Sequence, residues 1–211
     1  MKHAVIVRFY YEKENESFNF RLNLFKNNML KCIFNQTNQD FEFYIVCHPQ
    51  HNKLFTNINS KIKTINTSGV VKPNGMVLRA YFNLEQFEKY NIVTRVDSDD
   101  LISDDFIETI VSYYNPDDKT PTLIHFDPIW LDYELNKQYI PKKNKYNDKF
   151  TSMFCSFINP THFVYNIEHI YLGQYAKKII KIPYGKCWLV VHGHNDTTHL
   201  NNKTTFEEYI K

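Results

Sequence analysis

Ile92-Val-Thr-Arg-Val-Asp-Ser-Asp-Asp100 is the stretch that decides the fold of this chain. Its first half is a short β-branched run, which reads as a buried strand. Its second half sets three carboxylates, Asp97, Asp99 and Asp100, where that strand emerges at the edge of a sheet. A helix-like stretch begins soon after, at Ser103. Clustered carboxylates repel one another unless a cation neutralises them. A hard divalent ion held by only one or two carboxylates keeps positions open for substrate phosphates. The stretch therefore predicts a metal-assisted enzyme acting on a phosphorylated substrate. Acidic residues also favour helix starts because of the macrodipole. That explains Asp104 and Asp105, but not Asp97, which lies several residues upstream on the strand end.

Upstream of this stretch, strand-like and helix-like segments alternate. Residues 4–9 form an apolar strand. Residues 19–34 place Phe20, Leu24, Met29 and Ile33 at roughly helical spacing. Residues 41–47 and 62–65 are β-rich, and 69–75, with Gly69, Pro73 and Gly75, read as a loop. Residues 76–90 are helical, with Met76, Ala80, Leu84 and Phe87 on one face. Such alternation predicts an α/β domain with a mostly parallel sheet and helices on both faces. Ligands in sheets of this class bind beyond the carboxyl ends of the strands, where the Asp97 cluster lies.

Downstream, the pattern is less regular. Residues 103–114 read as a helix with Ser103 as its N-cap. Residues 123–133 and 154–165 are strand-like. Residues 136–149 are polar without periodicity and read as a mobile loop. Residues 168–179 read as a helix, and 188–191 as a strand leading into His192-Gly-His-Asn195.

With 211 residues, 43% of them apolar and 23% charged, the chain fits one soluble globular domain. A net charge of +2 is too small to imply a nucleic-acid binder. The 15 Tyr and 17 Phe serve core packing or sugar and base stacking equally well, so their number decides nothing. Cys32, Cys47, Cys155 and Cys187 form no CxxC pair, and three of them sit among apolar neighbours as buried free thiols. The first apolar run is too short for a signal peptide, and no stretch is long enough to span a membrane. A cytoplasmic location is expected.

Several residues are candidates to share the acidic site. For His192 or His194 taken singly, a polar turn at a strand end is the simpler reading. In combination with the carboxylates, His192 gains weight as a ligand, because imidazole suits manganese-like ions. Gly193 would let the backbone approach a phosphate closely. Arg8, Arg79 and Arg95 each suit bidentate binding of phosphate, or equally the neutralisation of an acidic side chain such as Asp97. Arg79, within an otherwise apolar helical face, leans towards phosphate.

These residues resemble a known family. A strand ending in Asp-Xaa-Asp, midway along an α/β chain of this length, resembles the GT-A glycosyltransferases. The block from Arg95 to Phe106, together with Trp188-Leu-Val-Val-His-Gly-His-Asn195, is similar to the putative rhamnosyltransferase family. The viral capsid-glycosylating rhamnosyltransferase domains also look similar. The resemblance implies a single GT-A domain over residues 1–211, with residues 1–100 binding nucleotide and 101–211 binding acceptor. It implies that Asp99 coordinates Mn2+ or Mg2+ and that Asp97 touches the ribose or the metal, with Ser98 beside it. His192 would complete the metal shell, and Arg8, Phe9, Tyr10 and Arg79 would contact the nucleotide. The implied partners are a nucleoside-diphosphate sugar donor and a glycan acceptor, with rhamnose resting on the resemblance alone. One departure stands out: Cys47-His48-Pro49 occupies the place where many such enzymes carry a base-reading acid.

Transfer of a sugar to a glycan hydroxyl with inversion requires a general base near that hydroxyl. Asp127, Asp132 and Glu168 are candidates at segment ends in the acceptor half, with Asp127 ranked first. Other classes fit less well. Phosphoryl transfer by an Asp nucleophile usually places that residue after the first strand, where this chain has Arg8-Phe9-Tyr10. Nucleotidyltransferases of related fold usually carry a Gly-rich loop there, and this chain has no glycine before Gly69. A non-catalytic, cation-dependent carbohydrate-binding domain would account for the aromatics and acids equally well; metal-dependent nucleotide binding separates it from the transferase.

Overall fold

A computed structural model describes residues 1–9, 14–66, 87–141, 154–161, 169–192 and 206–209. Strand β1 (His3–Phe9) is followed by helix α1 (Glu16–Leu24), a π-helical stretch Phe25–Met29 and helix α2 (Leu30–Phe34). Strand β2 (Glu42–Cys47) leads through a 3-10 turn, Pro49–His51, into α3 (Asn52–Ile58) and β3 (Ile62–Asn66). Next come β4 (Ile92–Asp97), β5 (Leu101–Ile102), α4 (Phe106–Val111), β6 (Thr122–Phe126), β7 (Ile129–Asp132) and β8 (Lys137–Pro141). The described chain ends with β9 (Cys155–Ile158), a 3-10 segment His169–Tyr175, β10 (Lys178–Ile182), β11 (Cys187–Val191) and β12 (Phe206–Glu208).

Seven strands form the main sheet in the order β10-β6-β9-β4-β1-β2-β3. Strands β3, β2, β1 and β4 are parallel, as are β6 and β10. Strand β9 alone runs antiparallel, against both β4 and β6. Two reversals restore direction, so β6 points the same way as β4 and their carboxyl ends share one edge. This is the mostly parallel α/β sheet expected from the alternating pattern.

Strand alternation sends side chains to two cores. On one face Val5, Val7 and Phe9 join Phe18, Phe25, Met29, Ile33 and Phe55, together with Ile107 and Ile110 of α4. The Phe9 ring meets Phe18 at 5.3 Å and Phe55 at 5.1 Å, both edge-on. On the other face Ala4 and Ile6 join Tyr44, Val93, Leu123 and Phe157 beneath Phe87, Tyr90 and Leu172. Each buried Val, Leu, Ile, Phe or Met among them contributes about 1.5–3 kcal/mol. Helix α1 starts where the Asn15 side chain accepts the Phe18 N–H at 2.9 Å, an N-cap that fixes its entry angle.

A second, five-stranded sheet in the order β12-β8-β7-β11-β5 was not anticipated. It explains several corrections. Part of the expected mobile loop is a strand: residues 137–141 form β8, paired with β7 and β12. None of its described side chains is buried, so no hydrophobic period marks it. The expected strand over 123–133 is two strands in two different sheets, broken at Asp127-Pro128, since proline cannot continue a ladder. The expected helix over 168–179 is a 3-10 segment followed by β10, whose Lys178 and Lys181 are exposed. Of the strand expected over 154–165, Cys155–Ile158 is found, and 162–165 lie outside the described residues. Of the helix expected over 76–90, residues 76–86 lie outside the described residues, and Phe87 begins a short turn. The loop expected at 69–75 also lies outside them.

Helix α4 is shorter than expected, and Ser103 is not its N-cap. The Ser103 hydroxyl is turned to Asp105 Oδ1 at 2.7 Å. The Ile107 N–H is instead capped from afar by Gln36 Oε1 at 2.9 Å. The four cysteines are free thiols, and Cys47, Cys155 and Cys187 are buried, as their apolar neighbours suggested. No helix among the described residues is long and apolar enough to cross a membrane.

Candidate active site

Strand β4 delivers Asp97 at its last residue, and the chain then turns so that the Asp100 N–H meets the Asp97 carbonyl at 3.4 Å. The four residues of this turn are each at most 8% exposed. Three buried carboxylates so close together are tolerable only with compensation, and each finds a different solution.

Asp97 is held by Arg8, its direct neighbour in the β1–β4 register. Arg8 Nε donates to Oδ1 at 2.7 Å and Nη2 to Oδ2 at 2.8 Å, a bidentate pair. Arg95 Nη2 stands 3.9 Å from the same Oδ1. Of the two uses proposed for Arg8, neutralising Asp97 is the one seen. Asp99 has different partners. Its Oδ2 receives Arg21 Nη1 of α1 at 2.9 Å and lies 3.0 Å from His192 Nε2. His192 follows β11 directly, so two sheets and a helix converge on one carboxylate. Asp100 Oδ1 accepts the Val190 N–H at 3.0 Å. Burial, followed by the negative charges of Asp99 and Asp97, pushes the Asp100 carboxyl well above the usual carboxylate range.

Beside this turn the Phe20 ring packs at 4.9 Å from the His192 ring and 5.8 Å from Tyr133. Tyr133 is 41% exposed. An aromatic shelf thus adjoins the Asp99–His192 pair.

Asp127 stands at the same edge. Arg95 and His125 both pair with Cys155 of β9 from opposite sides. Asp97 and Asp127 each lie two residues further on, two strand spacings apart, or roughly 10 Å. His125 Nε2 lies 3.1 Å from Asp127 Oδ1, and the Asp127 N–H donates to the Ile182 carbonyl at 2.9 Å. The His125 ring is buried while the Asp127 side chain is 41% exposed. Cys187 reports on the same neighbourhood: burial raises its thiol well above the ordinary value, and the charges of Asp100 and Asp127 add to that. Asp132, the second candidate base, is engaged in a turn, where its Oδ1 accepts the N–H groups of Glu134 at 3.0 Å and Leu135 at 2.9 Å.

The remaining candidates are distributed as follows. The ring of Phe9 is in the core, so only its main chain can face a ligand. Ser98 lies in the acidic turn, 2% exposed. Tyr10, Arg79, Glu168 and His194 lie outside the described residues. Arg21, His125 and the structural use of Asp100 were not foreseen. Arg21 had one available signal, as a lone arginine beside Phe20 on the helix that follows β1.

A divalent cation can be tested against this donor set. Asp99 Oδ2 and His192 Nε2 already converge, and carboxylate oxygen with imidazole nitrogen suits a manganese-like ion. Both oxygens of Asp97 meet Arg8. Among the described residues no three His, Cys, Asp or Glu side chains gather at metal-ligand spacing. Asp99 and His192 would give an ion two protein ligands, beside the Arg21 cation already paired with Asp99 Oδ2, and would leave its remaining positions to phosphate and water.

Comparison with known proteins adds to this geometry. The profile of a family described as putative rhamnosyl transferase matches residues 3–204. No curated protein matches the chain. Among solved structures, S. aureus TarS is similar in fold, with a TM-score of 0.56 at 16% identity. That match covers 90% of this chain and 37% of TarS. S. aureus TarS 1–349 in complex with UDP is similar to the same degree, with a TM-score of 0.56 at 16% identity over 90% of this chain and 61% of that one. The chain thus spans between 37% and 61% of the length of these two structures.

Proposed function

Because the chain belongs to the putative rhamnosyl transferase family, and so to the glycosyltransferases, we propose that it moves a deoxyhexose such as rhamnose from a nucleoside-diphosphate sugar to a glycan hydroxyl, with a divalent cation. The observation that carries the proposal is the meeting of Arg21, Asp99 and His192 at the carboxyl edge of the main sheet. The TarS fragment of similar fold was solved with UDP, which supports a nucleotide donor here. The mixed α/β fold is also the architecture expected from the GT-A resemblance.

Asp99 and His192 would hold Mn2+ or Mg2+, which supplies positive charge to the diphosphate as it leaves. Arg8 lies at the edge where β1 ends, with one third of its side chain exposed. It keeps Asp97 oriented towards the ribose side and is exposed enough to approach a phosphate. Arg79 and Tyr10 belong to the same nucleotide-binding role. Asp127 is the general base: half-exposed, it takes the proton from the acceptor hydroxyl while His125 holds its other side in place. Glu168 is the second candidate for that role. The Phe20–Tyr133 shelf offers apolar surface to a sugar ring.

The test is release of nucleoside diphosphate from a panel of UDP-, GDP- and TDP-sugars, with and without manganese. Turnover of at least one donor supports the proposal, and its loss in Asp127→Asn with nucleotide affinity retained assigns the base. Affinity and turnover both unchanged in Asp127→Asn would remove Asp127 from the chemistry. Metal-dependent sugar binding without nucleotide binding would favour the carbohydrate-binding reading instead.

A further inference from the structure

We propose that Asp100 is a positioning residue, whose carboxyl replaces one rung of the β5–β11 ladder and thereby seats His192 against Asp99. The inference rests on the reading of Asp99 and His192 as the donor site. Strands β5 and β11 pair antiparallel through Ile102 with Cys187 and Leu101 with Trp188. One residue further back the main chain leaves the ladder and enters the acidic turn. At that point the Asp100 side chain takes over, with Oδ1 accepting the Val190 N–H at 3.0 Å. On its other side β11 follows β7 as far as Val191 with Asp132, and His192 comes immediately after.

Two adjacent residues of one turn therefore hold Val190 of β11 and His192 just beyond it. Asp100 meets the Val190 main chain, and Asp99 meets the His192 ring at 3.0 Å. The first bond fixes where the strand runs; the second then falls within reach. Asp100 Oδ2 is buried and has no hydrogen-bond partner among the described residues. The clamp thus uses one oxygen of the carboxyl, and an amide with the same acceptor would serve. A site ligand aligned by a neighbour in this way typically loses about 10–100-fold in metal affinity when that neighbour is removed.

The experiment compares the full chain with Asp100→Asn and Asp100→Ala by two readouts. The first, without ligand, is Val190 amide hydrogen exchange and the His192 ring resonance in NMR spectra. The second is affinity for manganese in the presence of UDP, read by electron paramagnetic resonance. The expected result is near-parental behaviour of Asp100→Asn in both. Asp100→Ala should expose the Val190 amide, shift the His192 resonance and weaken manganese binding about tenfold or more. Unchanged Val190 and His192 signals in Asp100→Ala would overturn the proposal, as would an Asn variant no better than Ala. If Asp100→Ala fails to fold, Asp100→Asn decides alone, with retained signals supporting the clamp and lost ones overturning it. A parent protein that binds no manganese with UDP, yet shows the expected first readout, would reject the donor-site reading while supporting the clamp.

Discussion

At the residue scale, Asp99 is the point where the most elements meet. Its single Oδ2 lies against Arg21 of α1 and His192 after β11. Replacing Asp99 with Ala removes the carboxylate that both face. Metal-dependent binding of nucleoside diphosphate should fall at least about a hundredfold, since loss of a partner that merely orients a ligand already costs about 10–100-fold. Calorimetry on the folded variant checks this, and unchanged affinity would reduce the turn to a structural feature. His3 permits a second prediction, about pH. Its ring is buried, with Nε2 2.7 Å from Thr94 Oγ1, and burial lowers its pKa to about 3. The unfolded chain takes up this proton near the ordinary value of about 6.5. Between those values the unfolded state binds more protons, so stability rises with pH and is lost as pH falls from 6.5 towards 3. At about pH 4.5 the loss is about 3 kcal/mol relative to about pH 7.5. Urea unfolding at the two pH values should show His3→Gln with a smaller loss than the parent; equal losses would contradict the assignment.

The elements show what local pattern can and cannot reveal. Strand β4 was legible because a β-branched run buried on both faces is a local signal, and the acids at its end lie next to it in sequence. Strands β8 and β10 were not. Among their described side chains only Ile182 is buried, so pairing with distant strands rather than hydrophobic period makes them strands. The start of α4 failed for a similar reason. A serine and two aspartates beside an apolar run look like a cap, but the cap is Gln36, brought in by α2. Gln36 Nε2 donates to the Cys32 carbonyl at 2.9 Å and the Ser103 carbonyl at 2.7 Å, and its Oε1 accepts from Ile107. Gln36 is 4% exposed. Losing these bonds in a buried place should cost about 2–4 kcal/mol in Gln36→Ala, measured by chemical denaturation. A cost below about 1 kcal/mol, typical of an exposed side-chain hydrogen bond, would show that the link between α2 and α4 is unimportant.

For the molecule as a whole, the parallel half of the main sheet was legible, whereas its β10 edge and the second sheet were not. Alternation of strand and helix in the first half leads directly to the parallel core β3-β2-β1-β4. The second sheet gathers short strands from across the later chain, and its β5 and β7 are only 2 and 4 residues long. The candidate site shows the same division. Its clustered acids lie in one sequence block and Asp127 stands at a recognisable segment end, whereas Arg21 and His125 reach the site through tertiary contacts alone. What the assembled molecule adds is a single edge on which Arg8, Asp97, Asp99, Asp127 and His192 stand together, as a donor-to-acceptor transfer requires. The measurement that tests this most directly is isothermal titration of the protein with UDP, GDP and TDP, with and without manganese. Saturable binding of at least one of them, strengthened by the metal, is the expected result; no binding of any nucleotide under either condition would contradict the donor-site reading.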